Sequence, residues 1–182
     1  MSSKATNKRV LVIVTGGIAV YKAAVVVRGL VKSGAQVRVI MTSAATEFVR
    51  PLTFETLSLN KVGVDMFNDP RLADPLSHLS FGTWATELVV CPATANFIGK
   101  MANGLADDLA SATVLAATVP VMICPAMNSG MWDNPAVKRN VKTLSEWGVR
   151  IIGPAEGALA CKTSGTGRMV EPEEIIAAVL ES

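Results

Sequence analysis

Short apolar runs, each closed by glycine, proline or hydroxyl residues, alternate along the chain with segments whose apolar positions recur at helical spacing. Arg9 to Val14 (RVLVIV) is one such run, rich in β-branched residues and ending at Thr15-Gly16-Gly17. A continuous apolar run of this kind predicts a strand covered on both faces. Ile18 to Ser33 then carries helix formers with apolar residues three and four apart, and stops at Gly34. Gln36 to Met41 (QVRVIM) predicts a second strand, followed by helical segments at Ala44 to Phe48 and near Thr53 to Ser58. Asn68 to Pro75, with its prolines and aspartates, reads as a loop.

The same alternation continues downstream. Glu87 to Cys91 (ELVVC) predicts a buried strand ending at Pro92, and Pro120 to Cys124 (PVMIC) another ending at Pro125. Helices are expected over Ala95 to Met101, Asp107 to Ala117, Pro135 to Trp147 and Pro172 to Leu180, the last opened by proline. Arg150 to Ile152 predicts a further strand. Gly157 to Arg168 is glycine-rich and shows neither a helical nor a strand period. Strands alternating with helices through short connections imply a single α/β domain over residues 1–182. Its architecture would be a doubly wound, Rossmann- or flavodoxin-like parallel sheet with helices on both faces. Residues 1–8 read as a flexible N-terminus. The uncharged stretch between Asp108 and Asp133 is broken by Pro120 and Pro125. It reads as a buried helix end and a buried strand rather than a membrane span.

Composition narrows the function classes. Of the 182 residues 50% are hydrophobic and only 18% charged, with a net charge of +2, which excludes a disordered chain. Lysines and arginines are scattered without a basic stripe, so a nucleic-acid partner is not expected. Three cysteines without CxxC spacing, beside a single histidine, argue against a Cys/His metal site and for a reducing, cytoplasmic setting. Small aliphatic residues dominate the apolar fraction, which leaves open whether some of that surface lies between subunits.

In an open parallel sheet, ligands bind beyond the carboxyl ends of the strands. Here those ends are Thr15-Gly16-Gly17, Thr42-Ser43, Pro92-Ala93-Thr94-Ala95-Asn96 and Pro125-Ala126-Met127-Asn128. Small residues, hydroxyls and amides at helix N-termini suit a phosphate. Neither GxGxxG nor GxxxxGK[ST] is present, so the usual nucleotide fingerprints are missing. Each loop alone could be an ordinary turn and cap; four together favour a ligand. His78, the only histidine, reads by its type alone more often as a surface or packing residue than as a catalytic one, and both stay open. Cys91 and Cys124 end buried strands and read as packing residues, whereas Cys161 stands in the glycine-rich stretch, where a reactive thiol and a chance surface cysteine are equally open.

Pro125-Ala126-Met127-Asn128-Ser129-Gly130-Met131-Trp132 resembles the PxMNxxMW motif of the homo-oligomeric flavin-containing cysteine decarboxylases. Thr15 to Ala19, Met41 to Ser43, His78 to Trp84, Pro92 to Asn96, Ala102 to Leu109 and Cys161 to Met169 match further landmarks of that family, so the resemblance covers the chain from Arg9 onward. It implies a bound FMN lined by Gly16, Gly17, Ile18, Thr42, Ser43, Thr94, Ala95, Asn96 and Ala126. It also implies roles for single residues. His78 matches the base of the oxidative half-reaction, and Asn128 the asparagine that holds the substrate, with Met131 and Arg168 beside it. Cys161 matches the residue that protonates the enethiolate in members of the coenzyme A type. Lys162 stands where that family pattern has glycine.

The implied reaction is oxidative decarboxylation of a small thiol carboxylate, 4′-phosphopantothenoylcysteine, to 4′-phosphopantetheine. Peptide-processing relatives, which leave a C-terminal enethiol, are the alternative, and a non-catalytic regulatory flavoprotein is a third, disfavoured by the retained His78. The resemblance further implies a homo-oligomer, a trimer or dodecamer, with each flavin at a subunit boundary. A membrane partner is not expected.

Overall fold

The computed structural model describes residues 8–67, 77–158 and 164–182. The loop expected over 68–75, the cysteine at 161 and all but the last position of the expected flexible N-terminus lie outside these residues. That last position is tied down: Lys8 Nζ donates to Ser182 Oγ at 2.7 Å and to buried Glu87 Oε2 at 3.4 Å.

The elements run β1 (Arg9–Val14), α1 (Val20–Lys32), β2 (Gln36–Met41), α2 (Ser43–Thr46), α3 (Pro51–Ser58), β3 (Val62–Gly63), α4 (Ser77–Trp84) and β4 (Glu87–Ala93). They continue through α5 (Ala95–Ala102), α6 (Leu109–Ala116), β5 (Val121–Pro125), α7 (Ser129–Trp132), α8 (Pro135–Glu146), β6 (Arg150–Ile151), β7 (Ala155–Ala158), β8 (Ser164–Arg168) and α9 (Pro172–Glu181). The first six strands form one parallel sheet in the order β3-β2-β1-β4-β5-β6. Chain order thus reverses between β1 and β4, which is the switch point where doubly wound sheets bind ligands.

The apolar runs explain this sheet directly. In β1, Val10, Val12 and Val14 turn to one face and pack with Val26, Val27 and Leu30 of α1 and Ile175 and Val179 of α9. Leu11 and Ile13 turn to the other and meet Phe81, Phe97, Ile98 and Leu109. All five are fully buried, as alternation on a sheet covered twice requires. The uncharged stretch after Asp108 is the helix α6 followed by β5, and no helix among the described residues is long and apolar enough to cross a membrane.

Two local expectations needed correction. β4 does not stop before Pro92 but runs on to Ala93, pairing there with Pro125 after a register shift. The glycine-rich stretch contains an antiparallel pair, β7 with β8. Its glycines hide the alternation by which a strand is recognised.

Candidate active site

Thr15, at the end of β1, is 2% exposed and joins the two central strands. Its Oγ1 donates to the Pro92 carbonyl at 2.7 Å and accepts from the Thr94 backbone N–H at 3.1 Å. A single hydroxyl therefore fixes the separation of the β1 and β4 ends at the switch point. Gly16 follows immediately. A Cβ there would stand 2.5 Å from Ala44 Cβ and 2.8 Å from the Ala44 carbonyl oxygen, so only glycine lets this turn lie against the start of α2.

Above these strand ends opens a cavity of about 810 Å³. The helices that point into it differ in how their first turns are satisfied. Thr42 caps α2 by accepting from the Ala45 N–H, and Thr94 caps α5 by accepting from the Phe97 N–H. α1 has Ala19 at its N-cap and no side-chain acceptor. Its first amides follow Gly16 and Gly17, an arrangement suited to an anion. Ile18, 61% exposed, and Met131, 49% exposed, give the cavity apolar surface that water covers poorly.

The charged residues of the wall are paired. Lys100 Nζ lies 2.6 Å from Asp107 Oδ1 and 2.8 Å from Asp108 Oδ2. Burial pulls its pKa down, but the hydrogen bonds to the two carboxylates prevail and hold it above the ordinary lysine value. The same ammonium holds the exposed Asp107 carboxyl below its ordinary value. Lys22, 7% exposed, donates to Glu171 at 3.0 Å, and Glu171 also receives Arg168 Nη1 at 3.0 Å. Hydrogen bonding to Lys22 keeps the Glu171 carboxyl low.

The fourth strand end supplies Asn128. Its Oδ1 accepts from the Gly130 N–H at 2.8 Å and caps α7, so toward an anion the side chain acts through its amide NH₂. The β7–β8 hairpin docks on this loop, with the Met127 N–H donating to the Gly167 carbonyl at 2.9 Å. Gly167 has φ +151°, and a Cβ there would collide with the Met127 carbonyl oxygen.

Every residue expected around the cofactor lines this one cavity, from Gly16, Gly17 and Ile18 through Thr42, Ser43, Thr94, Ala95 and Asn96 to Ala126. Asn128, Met131 and Arg168 line it too. His78 does not. It is half-buried on the first turn of α4, and its Nδ1 is buried with no hydrogen-bond partner among the described residues. Cys161 lies outside the described residues. Cys91 and Cys124 are fully buried under the sheet end, where hydrogen bonding to Cys91 and burial push the Cys124 thiol up, so both are packing residues.

Sequence reasoning named Thr15 and Asp108 only within longer segments and missed Lys22 and Lys100. Lys22 had a readable signal, a cation one turn beyond an uncapped glycine pair. Lys100 had none, because its pairing with Asp108 depends on how α5 and α6 meet.

The chain is 52% identical over 170 residues, 93% of its length, to the coenzyme A biosynthesis bifunctional protein CoaBC of Bacillus subtilis (strain 168), and spans 42% of that protein. It spans less than half the length of the curated relatives it matches. Among solved structures it resembles a PPC decarboxylase mutant complexed with pantothenoylaminoethenethiol, with TM-score 0.83 and 31% identity over 94% of this chain and 96% of that one. It also resembles the FMN-dependent cysteine decarboxylase SpaF, with TM-score 0.83 and 34% identity over 97% of each chain. A family model described as Flavoprotein matches residues 1–182. With its strand-end cavity and these likenesses together, the chain belongs to the Flavoprotein family.

Proposed function

We propose that this chain is an FMN-dependent decarboxylase acting on the cysteine moiety of 4′-phosphopantothenoylcysteine, forming 4′-phosphopantetheine for coenzyme A biosynthesis. The observation that carries this reading is the gathering of Gly16, Gly17, Ser43, Thr94, Asn96 and Asn128 around one cavity at the switch point. The chain's 52% identity to a CoaBC protein supports the substrate assignment.

The residues fit FMN. The turn at Gly16 has no room for a side chain, the first turn of α1 lacks a side-chain cap, and exposed apolar Ile18 and Met131 offer surface for a flat ring. The Gly16, Gly17 and Ser43 loops would hold the phosphate, and Thr94, Ala95, Asn96 and Ala126 would line the ring system. When bound, FMN supplies a two-electron acceptor for the substrate's CH₂–SH group and returns those electrons later. The Asn128 amide NH₂ orients the substrate carboxylate with a neutral donor, so CO₂ can leave without first breaking an ion pair. A ring nitrogen of His78 accepts the proton released when the CH₂–SH group is oxidised, and the Cys161 thiol gives a proton to the enethiolate carbon after CO₂ is lost.

His78 stands outside its own chain's cavity, and its buried Nδ1 has no partner among the described residues. The first fact supports a homo-oligomer, a trimer or dodecamer, in which the His78 ring, half-exposed on its own chain, serves a neighbour's cavity. A second reading, decarboxylation of a peptide's C-terminal cysteine, is supported by the likeness to SpaF.

Subunit complementation tests both site and assembly. His78→Asn and Asn128→Asp variants should each be yellow and inactive on 4′-phosphopantothenoylcysteine, and co-expression should restore part of the activity. Retained turnover in His78→Asn, or a protein that stays colourless after incubation with FMN, would overturn the assignment. Turnover of a peptidyl cysteine with none of the small substrate would select the second reading.

A further inference from the structure

We propose that Glu171 is a positioning residue that gathers Lys22 and Arg168 into a cationic wall for an anionic group of the substrate, an inference that rests on the decarboxylase reading. Lys22 and Arg168 both line the cavity, whereas Glu171 does not. The Lys22 ammonium donates to the Met169 carbonyl at 3.1 Å and lies 3.0 Å from each oxygen of the Glu171 carboxylate. Arg168 Nη1 reaches Oε1 of that carboxylate at 3.0 Å. One anion thus serves two cations that come from different elements, α1 and β8.

The arrangement makes physical sense at each link. A lysine that is 7% exposed needs a compensating carboxylate, since an unpaired buried charge is costly. Lys22 and Arg168 would otherwise repel each other across the wall, and Arg168 sits on a two-stranded hairpin whose own pairing holds it weakly. Glu171 stands at the start of α9, which packs along α1 through fully buried Ile175 and Val179, so its carboxylate is anchored to the main scaffold. With one carboxylate against two cations, the wall keeps one positive charge in excess. It lies on the side of the cavity where Asn128 and the hairpin meet.

The experiment compares Glu171→Asn with Glu171→Asp in the FMN-loaded protein. Asparagine and aspartate cap a helix about equally well but differ in charge, so a role confined to capping α9 predicts equal behaviour. Positioning predicts that Glu171→Asn raises KM for 4′-phosphopantothenoylcysteine by about 10- to 100-fold with FMN affinity unchanged, and that Glu171→Asp recovers most of the loss. Equal KM in the two variants, or weaker FMN binding with unchanged KM, would overturn the proposal. If the wild type fails to turn over this substrate, the decarboxylase reading fails instead. Hydrogen exchange over residues 164–169 then decides the positioning claim, which requires faster exchange in Glu171→Asn than in Glu171→Asp and the wild type. Identical exchange in all three proteins sinks it.

Discussion

Gly16→Ala adds one methyl group at a crowded point of the cavity wall. The new carbon would stand 2.5 Å from Ala44 Cβ, 2.7 Å from Ala44 C and 2.8 Å from its carbonyl oxygen, where ordinary contact begins near 3.4 Å. The obstacle is mostly backbone, so no rotamer change relieves it, and the β1–α1 turn must part from the start of α2 by about 1 Å. Overpacking of this kind costs about 1–3 kcal/mol. In a chain of this size that lowers the thermal midpoint by roughly 2–4 °C per kcal/mol. Because the same turn and Ser43 would hold the flavin phosphate, a 1 Å separation should weaken FMN binding by about tenfold or more. Gly17→Ala, whose methyl would meet only Thr94 Cγ2 at 3.4 Å, is the control for packing alone and should melt like the wild type. Fluorescence titration of the apoprotein with FMN, paired with calorimetric melting, measures both effects. Equal FMN affinity and equal melting for Gly16→Ala and the wild type would refute the claim that this turn cradles the cofactor.

Thr15→Val keeps the shape of the side chain but removes its bonds to the Pro92 carbonyl and the Thr94 N–H. A loss of about 1–3 kcal/mol is expected from urea unfolding, and an unchanged midpoint would show that this hydroxyl does not bind the strand ends together. The pairing of Lys100 with Asp107 sets a pH dependence with a definite sign. Asp107 is held below its ordinary value of 3.8, so its contribution to stability is present above that pH and lost as the pH falls through the lowered value. Lys100 is held above 10.5, so its contribution is complete below that pH and lost only as the pH rises through the raised value. Melting of Asp107→Asn against pH should therefore be less acid-sensitive than the wild type. Parallel acid limbs for the two proteins would contradict this pairing.

The sheet was legible because its strands are buried on both faces. Val10 to Val14 has no alternative to a central strand, and its boundary was readable to the residue since Thr15 breaks the run. Where local signal and final structure parted, a tertiary contact intervened. Pro92 ends an apolar run in sequence, yet β4 continues through it because Ala93 still has Pro125 to pair with. The β7–β8 hairpin was invisible because Gly157, Gly165 and Gly167 carry no side chains to alternate. The smallness of Gly165 and Gly167 serves the docking of the hairpin on Ser129 and Met127, and that of Gly157 makes room for Arg168, demands that no local pattern expresses.

The site divides along the same line. Residues at strand ends were foreseeable, because a parallel sheet delivers all its carboxyl ends to one edge, and the loops there announced themselves as small and polar. Paired cations were not, since Lys22 and Glu171 are separated by 149 positions and meet only when α9 packs along α1. His78 marks a deeper limit. A motif resemblance names it beside Asn128, yet the fold of one chain puts Asn128 in the cavity and leaves His78 outside. Both facts hold at once if the catalytic unit is larger than the folding unit. The apolar side chains that this chain leaves exposed beside the cavity, Ile18 and Tyr21 with Val25 further along α1, are then surface awaiting a neighbour or a ligand.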